Sequence, residues 1–462
     1  MKKQLYILLF LLPFGGYSQQ HRDPSSPGDE LWKDVGNAGF SAGAAAWTSL
    51  AFSPSDGQPY VAYEDAAYSD KATVMKFNGT NWTNVGEPGF SDGEAPFTDL
   101  VFSPSGQAYV IYSDVGHSGK ASVMKFDGTN WVNVGSAGFS TGTADFTSLA
   151  FSASGQPYAA FSDSSMNFSA SVMKFDGNDW ISVGIPGFSE GSAGYICIAV
   201  SPSGQPYVAY SDGAYHSSVS VMNFDGNGWV YLGTPGLTEK EAYWNRIVFN
   251  ATGEPYLAFS NGERYYKAAE MFNDGIDWIY VQNEGFSAGE ADYLSLAFSP
   301  LDHSSYVAFD DCGNGCKASL MKNAGSSWVY IGSKAFSAGP VQYTSLAFSP
   351  SGQPYVACSE YLSGVYKATV MKYDSVAAGI SETRASAFSV FPDPATVKIT
   401  VITPAFPAYS RLSVLDISGR ERITSGITGQ RTILDISKLP AGVYYIKLTG
   451  DREVGEGKFI KL

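Results

Sequence analysis

Seven tryptophans recur along this chain at an almost constant interval. Trp32, Trp82, Trp131, Trp180, Trp229, Trp278 and Trp328 stand 49 or 50 residues apart. Tyr60, Tyr109, Tyr158, Tyr207, Tyr256, Tyr306 and Tyr355 keep the same interval, mostly in Pro-Tyr-Val-Ala-like segments. A fixed period of this size means one supersecondary unit repeated, each unit burying apolar surface against its neighbours. Four short runs per unit are rich in β-branched and aromatic residues and bounded by turn residues. They are exemplified by Trp131-Val-Asn-Val134, Thr147-Ser-Leu-Ala-Phe151, Tyr109-Val-Ile-Tyr112 and Ala121-Ser-Val-Met-Lys-Phe126. Gly 50 and Pro 23 interrupt the chain too often for long helices. The fold class is therefore all-β, and the period predicts a seven-bladed β-propeller of four-stranded blades over residues 31–374. A row of immunoglobulin-like sandwiches would need about seven strands and ~100 residues per module.

Strand order predicts how the ring closes. The last unit ends after Val370-Met-Lys-Tyr373 with no Trp strand behind it, whereas the first opens on one at Trp32. If the second strand of each unit is innermost, the Trp32 strand completes the seventh blade, and no edge of the ring is left unpaired.

The connections sort into two faces. Ser-Gly turns such as Ser154-Gly155 and Asn/Asp-Gly turns such as Asp127-Gly128 are tight and lie on one face. The other face carries two longer loops per blade, as in 135–142 and 113–120. Binding residues concentrate on loops held by a rigid scaffold, so this face is the expected functional surface.

Two sets of residues stand out there. An aromatic precedes each inner strand: Trp47, Phe97, Phe146, Tyr195, Trp244, Tyr293 and Tyr343. Near a channel mouth these would stack on sugar rings or grip apolar side chains; the competing reading makes them wedges between blades. A carboxylate ends each third strand: Asp65, Asp114, Asp163, Asp212, Asp311 and Glu360, with Asn261 in the fifth repeat. Lys71, Lys120, Lys267, Lys317 and Lys367 oppose five of these seven positions, which reads as cross-strand ion pairing. Asp163 and Asp212 lack that lysine and are the better ligand-binding candidates. Repeat five is the most divergent, in Leu237 to Trp244 and Arg264-Tyr265-Tyr266, and is where asymmetry and a ligand contact are expected.

No catalytic residue is assigned. Equivalent carboxylates on neighbouring blades stand ~10 Å apart, beyond what two-carboxylate glycosidases use. The four histidines are scattered, no nucleophile elbow is present, and nothing calls for a metal or another cofactor. Cys312 and Cys316 flank a short Gly-Asn-Gly loop and are read as a hairpin disulfide, while Cys197 and Cys358 fall in strands as small buried residues. A formal net charge of -15 argues against a nucleic-acid partner.

The ends of the chain carry addresses. Residues 1–18 read as a signal peptide, with Lys2 and Lys3, a short apolar run, and cleavage near Ser18 and Gln19. No segment is long and apolar enough to span a membrane. Residues 375–387 read as a linker, and composition then changes: residues 388–462 carry 10 Lys+Arg and 7 Asp+Glu, against 19 and 37 before them, so a separate small β-sandwich is expected. Phe391-Pro-Asp-Pro-Ala-Thr396, Leu415-Asp-Ile-Ser-Gly-Arg420, Asp435-Ile-Ser-Lys-Leu-Pro-Ala-Gly-Val-Tyr444 and Gly457-Lys-Phe-Ile-Lys461 closely resemble the type IX secretion C-terminal sorting domain of Bacteroidota. Asp393 stands where that family usually has Asn. The resemblance implies handling by the type IX machinery, removal by a sortase-like peptidase, and a secreted or outer-membrane surface-attached product. The leading functional expectation is a non-catalytic binding or adhesion module for glycan or protein; the alternative is a polysaccharide-active hydrolase or lyase on the long-loop face.

Overall fold

The computed structural model describes residues 32–374, 389–391, 394–403, 411–416, 419–449 and 454–462. The signal peptide, the Ser18–Gln19 cleavage region and the linker expected at 375–387 lie outside them. The chain divides into two units, Met1–Ser375 and Val376–Leu462.

The first unit contains seven four-stranded antiparallel sheets. Blade one is formed by Ala45–Phe52, Pro59–Asp65, Lys71–Phe77 and Trp82–Asn84, paired in that order from the axis outward. The two middle strands of each blade are covered on both faces by neighbouring blades, so they read as nearly continuous apolar runs. Val61, Ala62 and Tyr63 are fully buried, as are their counterparts Val208, Ala209 and Tyr210.

The recurrent tryptophan joins each blade to the one before it. Trp82 Nε1 donates to Val35 O at 2.6 Å, Trp131 to Val85 O at 2.7 Å, and Trp180 to Val134 O at 2.7 Å. Six of the seven indoles also lie flat on the phenylalanine of the preceding long loop, as Phe40 on Trp82 at 4.3 Å and Phe90 on Trp131 at 4.5 Å; at Trp278 the loop offers Leu237 instead. A buried indole needs a partner for its N–H, and the loop carbonyl supplies one while the ring fills the joint.

The same contact closes the ring. Strand Trp32–Asp34 pairs with Val365–Tyr373, placing Trp32 opposite Tyr373 and Asp34 opposite Met371. Trp32 stacks on Phe336 at 3.8 Å and donates to Ile331 O at 2.8 Å, so blade seven takes its outer strand from the opposite end of the unit.

The second unit is a small pair of sheets. One has three strands, Ser389–Phe391, Lys398–Ile402 and Arg431–Asp435; the other has four, Glu421–Gly426, Arg411–Leu415, Gly442–Thr449 and Val454–Lys461. Alternate residues Ile399 and Val401, Leu412 and Val414, and Tyr444, Ile446 and Leu448 turn inward to one core closed by Phe459.

Candidate functional site

The innermost strands do not run straight to the long-loop face. In six blades their pairing slips by one residue, as between Ala46 and Ser49 in blade one or Tyr243 and Arg246 in blade five. In all seven blades the aromatic has a positive φ, from 48° at Tyr195 to 58° at Phe97, and in those six it sits at the bulge. A left-handed backbone at a bulky residue is strained, and it persists only where the surroundings hold it. Here the bulge re-aims the side chain over the axis.

The result is a closed aromatic collar. Trp47, Phe97, Phe146, Tyr195, Trp244, Tyr293 and Tyr343 each touch the next, with centroids 4.1 to 5.0 Å apart, and Tyr343 returns to Trp47 at 4.5 Å. All seven are half-buried. They meet one another across the blade joints and also border the channel, so they fill the joints and still present ring surface. Threonines behind the collar tie neighbouring blades: Thr48 Oγ1 donates to Tyr343 O at 2.5 Å and Thr147 Oγ1 to Phe97 O at 2.7 Å.

Beneath the collar lies a channel cavity of about 370 Å³. Its next layer is Ser49, Asp99, Ser148, Cys197, Arg246, Ser295 and Ser345, two residues beyond each collar aromatic. The serines accept backbone N–H groups of the following blade, as Ser345 does from Leu50 at 2.9 Å and Ser295 from Leu346 at 2.9 Å. Asp99 plays the same part toward Leu149 N at 3.0 Å. Burial raises its carboxyl above the usual range, partly offset by that bond and by the charge of Arg246. Arg246 has no acceptor to offer, and its guanidinium is exposed in the channel.

The carboxylates ending the third strands are placed differently from the ion-pair expectation. They are at most 2% exposed, and among the described residues no ion pair joins them to the opposing lysines. Asp65 caps the short turn after its strand, accepting from Ala67 N at 3.1 Å and from Gly43 N of the neighbouring long loop at 3.0 Å. Asp163 does the same with Ser165 N and Gly142 N, and Asp212 with Ala214 N. Gly142 is required there, because a Cβ would lie 2.4 Å from Ser165 N. Oriented backbone N–H groups inside the blade serve a buried carboxylate better than a flexible lysine at the surface. Asp163 and Asp212 thus hold loops in place, and neither lines the channel cavity. Cys312 and Cys316 are joined across the corresponding turn of blade six, and Cys197 and Cys358 are buried.

Blade six adds a group that composition alone did not single out. Asp292 and Asp310 stand directly opposite each other across the first two strands, beside the collar. Trp244 Nε1 donates to Asp292 Oδ1 at 2.9 Å. Burial, then the neighbouring Asp292, pushes Asp310 up to about 8. Two carboxylates this close cannot both ionise cheaply, so Asp310 holds a proton at neutral pH. The signal was present in the repeat: the residue at this position is serine in five other blades and Glu64 in the first.

The second unit is decided by comparison. Residues 389–462 match the secretion system C-terminal sorting domain family. This module is a type IX sorting domain. Such a domain marks the protein for secretion or attachment at the cell surface through the type IX machinery. Among the described residues no helix is long and apolar enough to cross a membrane.

The repeats are distantly similar to solved structures. PorZ, a surface component of the type IX secretion system of Porphyromonas gingivalis, is 13% identical with a TM-score of 0.47, over 90% of this chain and 59% of its own; this chain thus spans about three fifths of PorZ. A PL25 ulvan lyase is 14% identical with a TM-score of 0.47, over 72% of this chain and 94% of its own. Neither likeness bears on ligand or activity. No curated protein matches the chain.

Proposed function

We propose that the mature protein is a surface or secreted binding module for carbohydrate, with the collar as its binding surface and the sorting domain as its address. The collar carries this reading. Seven strained, half-buried aromatics ring one channel mouth, and aromatic faces take the C–H faces of sugars while their edges and hydroxyls reach polar groups. On this reading the sorting domain is removed at the surface, and the propeller is then released or anchored.

Truncating two adjacent collar residues, Trp244→Ala with Tyr293→Ala, is expected to weaken binding to the oligosaccharides the wild type selects on a glycan array by at least ~30-fold, the loss typical of a central aromatic anchor. Unchanged binding by a folded double variant overturns the reading.

One observation favours a second reading, a polysaccharide-active enzyme. Asp310 is a protonated acid beside a second carboxylate at the collar, an arrangement suited to general acid–base work. On that reading wild-type protein depolymerises a polysaccharide, and Asp310→Asn abolishes turnover while leaving binding intact. Turnover that survives Asp310→Asn removes the dyad from it.

A further inference from the structure

Blade five departs from its siblings at one channel position. Where blades one, three, six and seven place Ser49, Ser148, Ser295 and Ser345, it places Arg246. Among the residues lining the cavity Arg246 is the single cation, and Asp99 is the single anion. They belong to blades two and five, three steps apart, as far as a ring of seven allows.

The two charges do not neutralise each other by contact. Among the described residues no carboxylate lies within ion-pair distance of Arg246, and its hydrogen bond from Nη1 to Asn245 O at 3.1 Å uses one of five donors. Asp99 is engaged in the wall, accepting from Ser49 Oγ at 3.2 Å, Leu149 N at 3.0 Å and Ser148 Oγ at 3.5 Å. An ionised carboxylate offers about four lone-pair sites, so it retains capacity for a further donor. A guanidinium facing an enclosed channel with most of its fork unused is arranged to take a planar or tetrahedral oxyanion.

We propose that the channel beneath the collar reads an acidic sugar: Arg246 pairs with a carboxylate or sulfate on the saccharide, Asp99 accepts one of its hydroxyls, and the ring lies against Trp244 and Tyr293. This deepens the carbohydrate reading and rests on it for the stacked ring. Free anions are poor ligands here, because the acidic propeller repels them. That field is screened within ~8 Å at physiological salt, whereas an Arg246 contact would act at hydrogen-bond distance. The sugar therefore brings its charge in on a stacked ring.

The test is calorimetric titration of the propeller in the full exported protein with trigalacturonate, a sulfated carrageenan disaccharide, cellotriose and inorganic sulfate. At least one acidic saccharide is expected to bind, at least 10-fold tighter than cellotriose and sulfate; the two acidic probes distinguish carboxylate from sulfate. Arg246→Gln is expected to remove that margin, and Arg246→Lys to restore most of it. Thermal melting of both variants checks the fold. Cellotriose bound as tightly as the acidic probes, insensitive to Arg246→Gln and lost in Trp244→Ala, overturns the acidic-sugar assignment and leaves the collar reading standing. Acidic binding lost in Arg246→Gln but untouched in Trp244→Ala overturns the collar reading and the stacked ring with it, and leaves the Arg246 contact standing. No binding of any saccharide overturns the proposal.

Discussion

Deleting residues 24–36 is expected to lower the melting temperature of the propeller by ~10 °C and to promote self-association. The loss is larger than three residues of strand suggest. Trp32 and Val35 are 3% and 4% exposed, and Trp32 fills the joint against Phe336 and Tyr373. Burial of those two side chains contributes on the order of 5 kcal/mol. Val35 N also donates to Val370 O at 2.8 Å, and Lys33 Nζ lies 3.0 Å from Asp374. With the strand gone, Val370 to Tyr373 lose their partners and leave an unpaired edge, a template for pairing with another chain. Differential scanning calorimetry with light scattering reads both effects, at a few degrees per kcal/mol. A truncated protein that melts with the parent contradicts closure by this strand.

Replacing Glu270 by valine is expected to stabilise the protein, increasingly so as pH rises. Glu270 is fully buried between blades five and six, where the other blades have Val74, Val123, Val172, Val221, Leu320 and Val370. Ser305 Oγ donates to it at 2.9 Å. Burial pushes the carboxyl up from 4.5 to about 8, with that bond opposing. The folded state therefore holds a proton that the unfolded state releases. Stability from this group is complete below pH ~4.5 and is lost as pH rises through about 8. Burial likewise raises Glu64, to about 7, and Asp310, to about 8, so they act in the same direction. By pH 8 the stability lost at Glu270 is on the order of 4 kcal/mol, and the gain on substitution is less than this by ~1 kcal/mol for the Ser305 hydroxyl that valine leaves unpaired. Urea unfolding midpoints of wild type, Glu270→Val and Glu270→Val with Ser305→Ala at pH 5, 7 and 8.5 check this. Wild-type stability independent of pH, or a valine variant weaker at pH 8.5, contradicts it.

The architecture was legible in the sequence because each repeat solves the same packing problem with the same residues. A tryptophan every 49 or 50 residues must find a partner for its indole N–H and a flat surface for its ring, and the preceding blade offers both. The collar positions were legible too, but their backbone was not. Strict alternation gives no hint that Trp47 or Tyr343 takes a positive φ, because the bulge is a tertiary consequence of crowding around one axis.

The carboxylates show where local reasoning misled. Opposition of Asp65 to Lys71 across a hairpin is real in register, yet the side chain turns inward to cap a loop that is remote from it in sequence. Arg246, Asp99 and Asp310 were visible only as departures from columns of serine, and Asp292 sits in a column with no prevailing residue type. Their meaning depends on which columns face the channel, which requires knowing the bulge first.

A crystal structure of the propeller soaked with an oligosaccharide that it binds in solution tests the central claim most directly. Difference density is expected against Trp244 and Tyr293 at the collar, reaching into the channel. Density on the face of the Ser-Gly and Asp-Gly turns, or along the outer strands with the collar empty, would contradict the placement of function at the channel mouth.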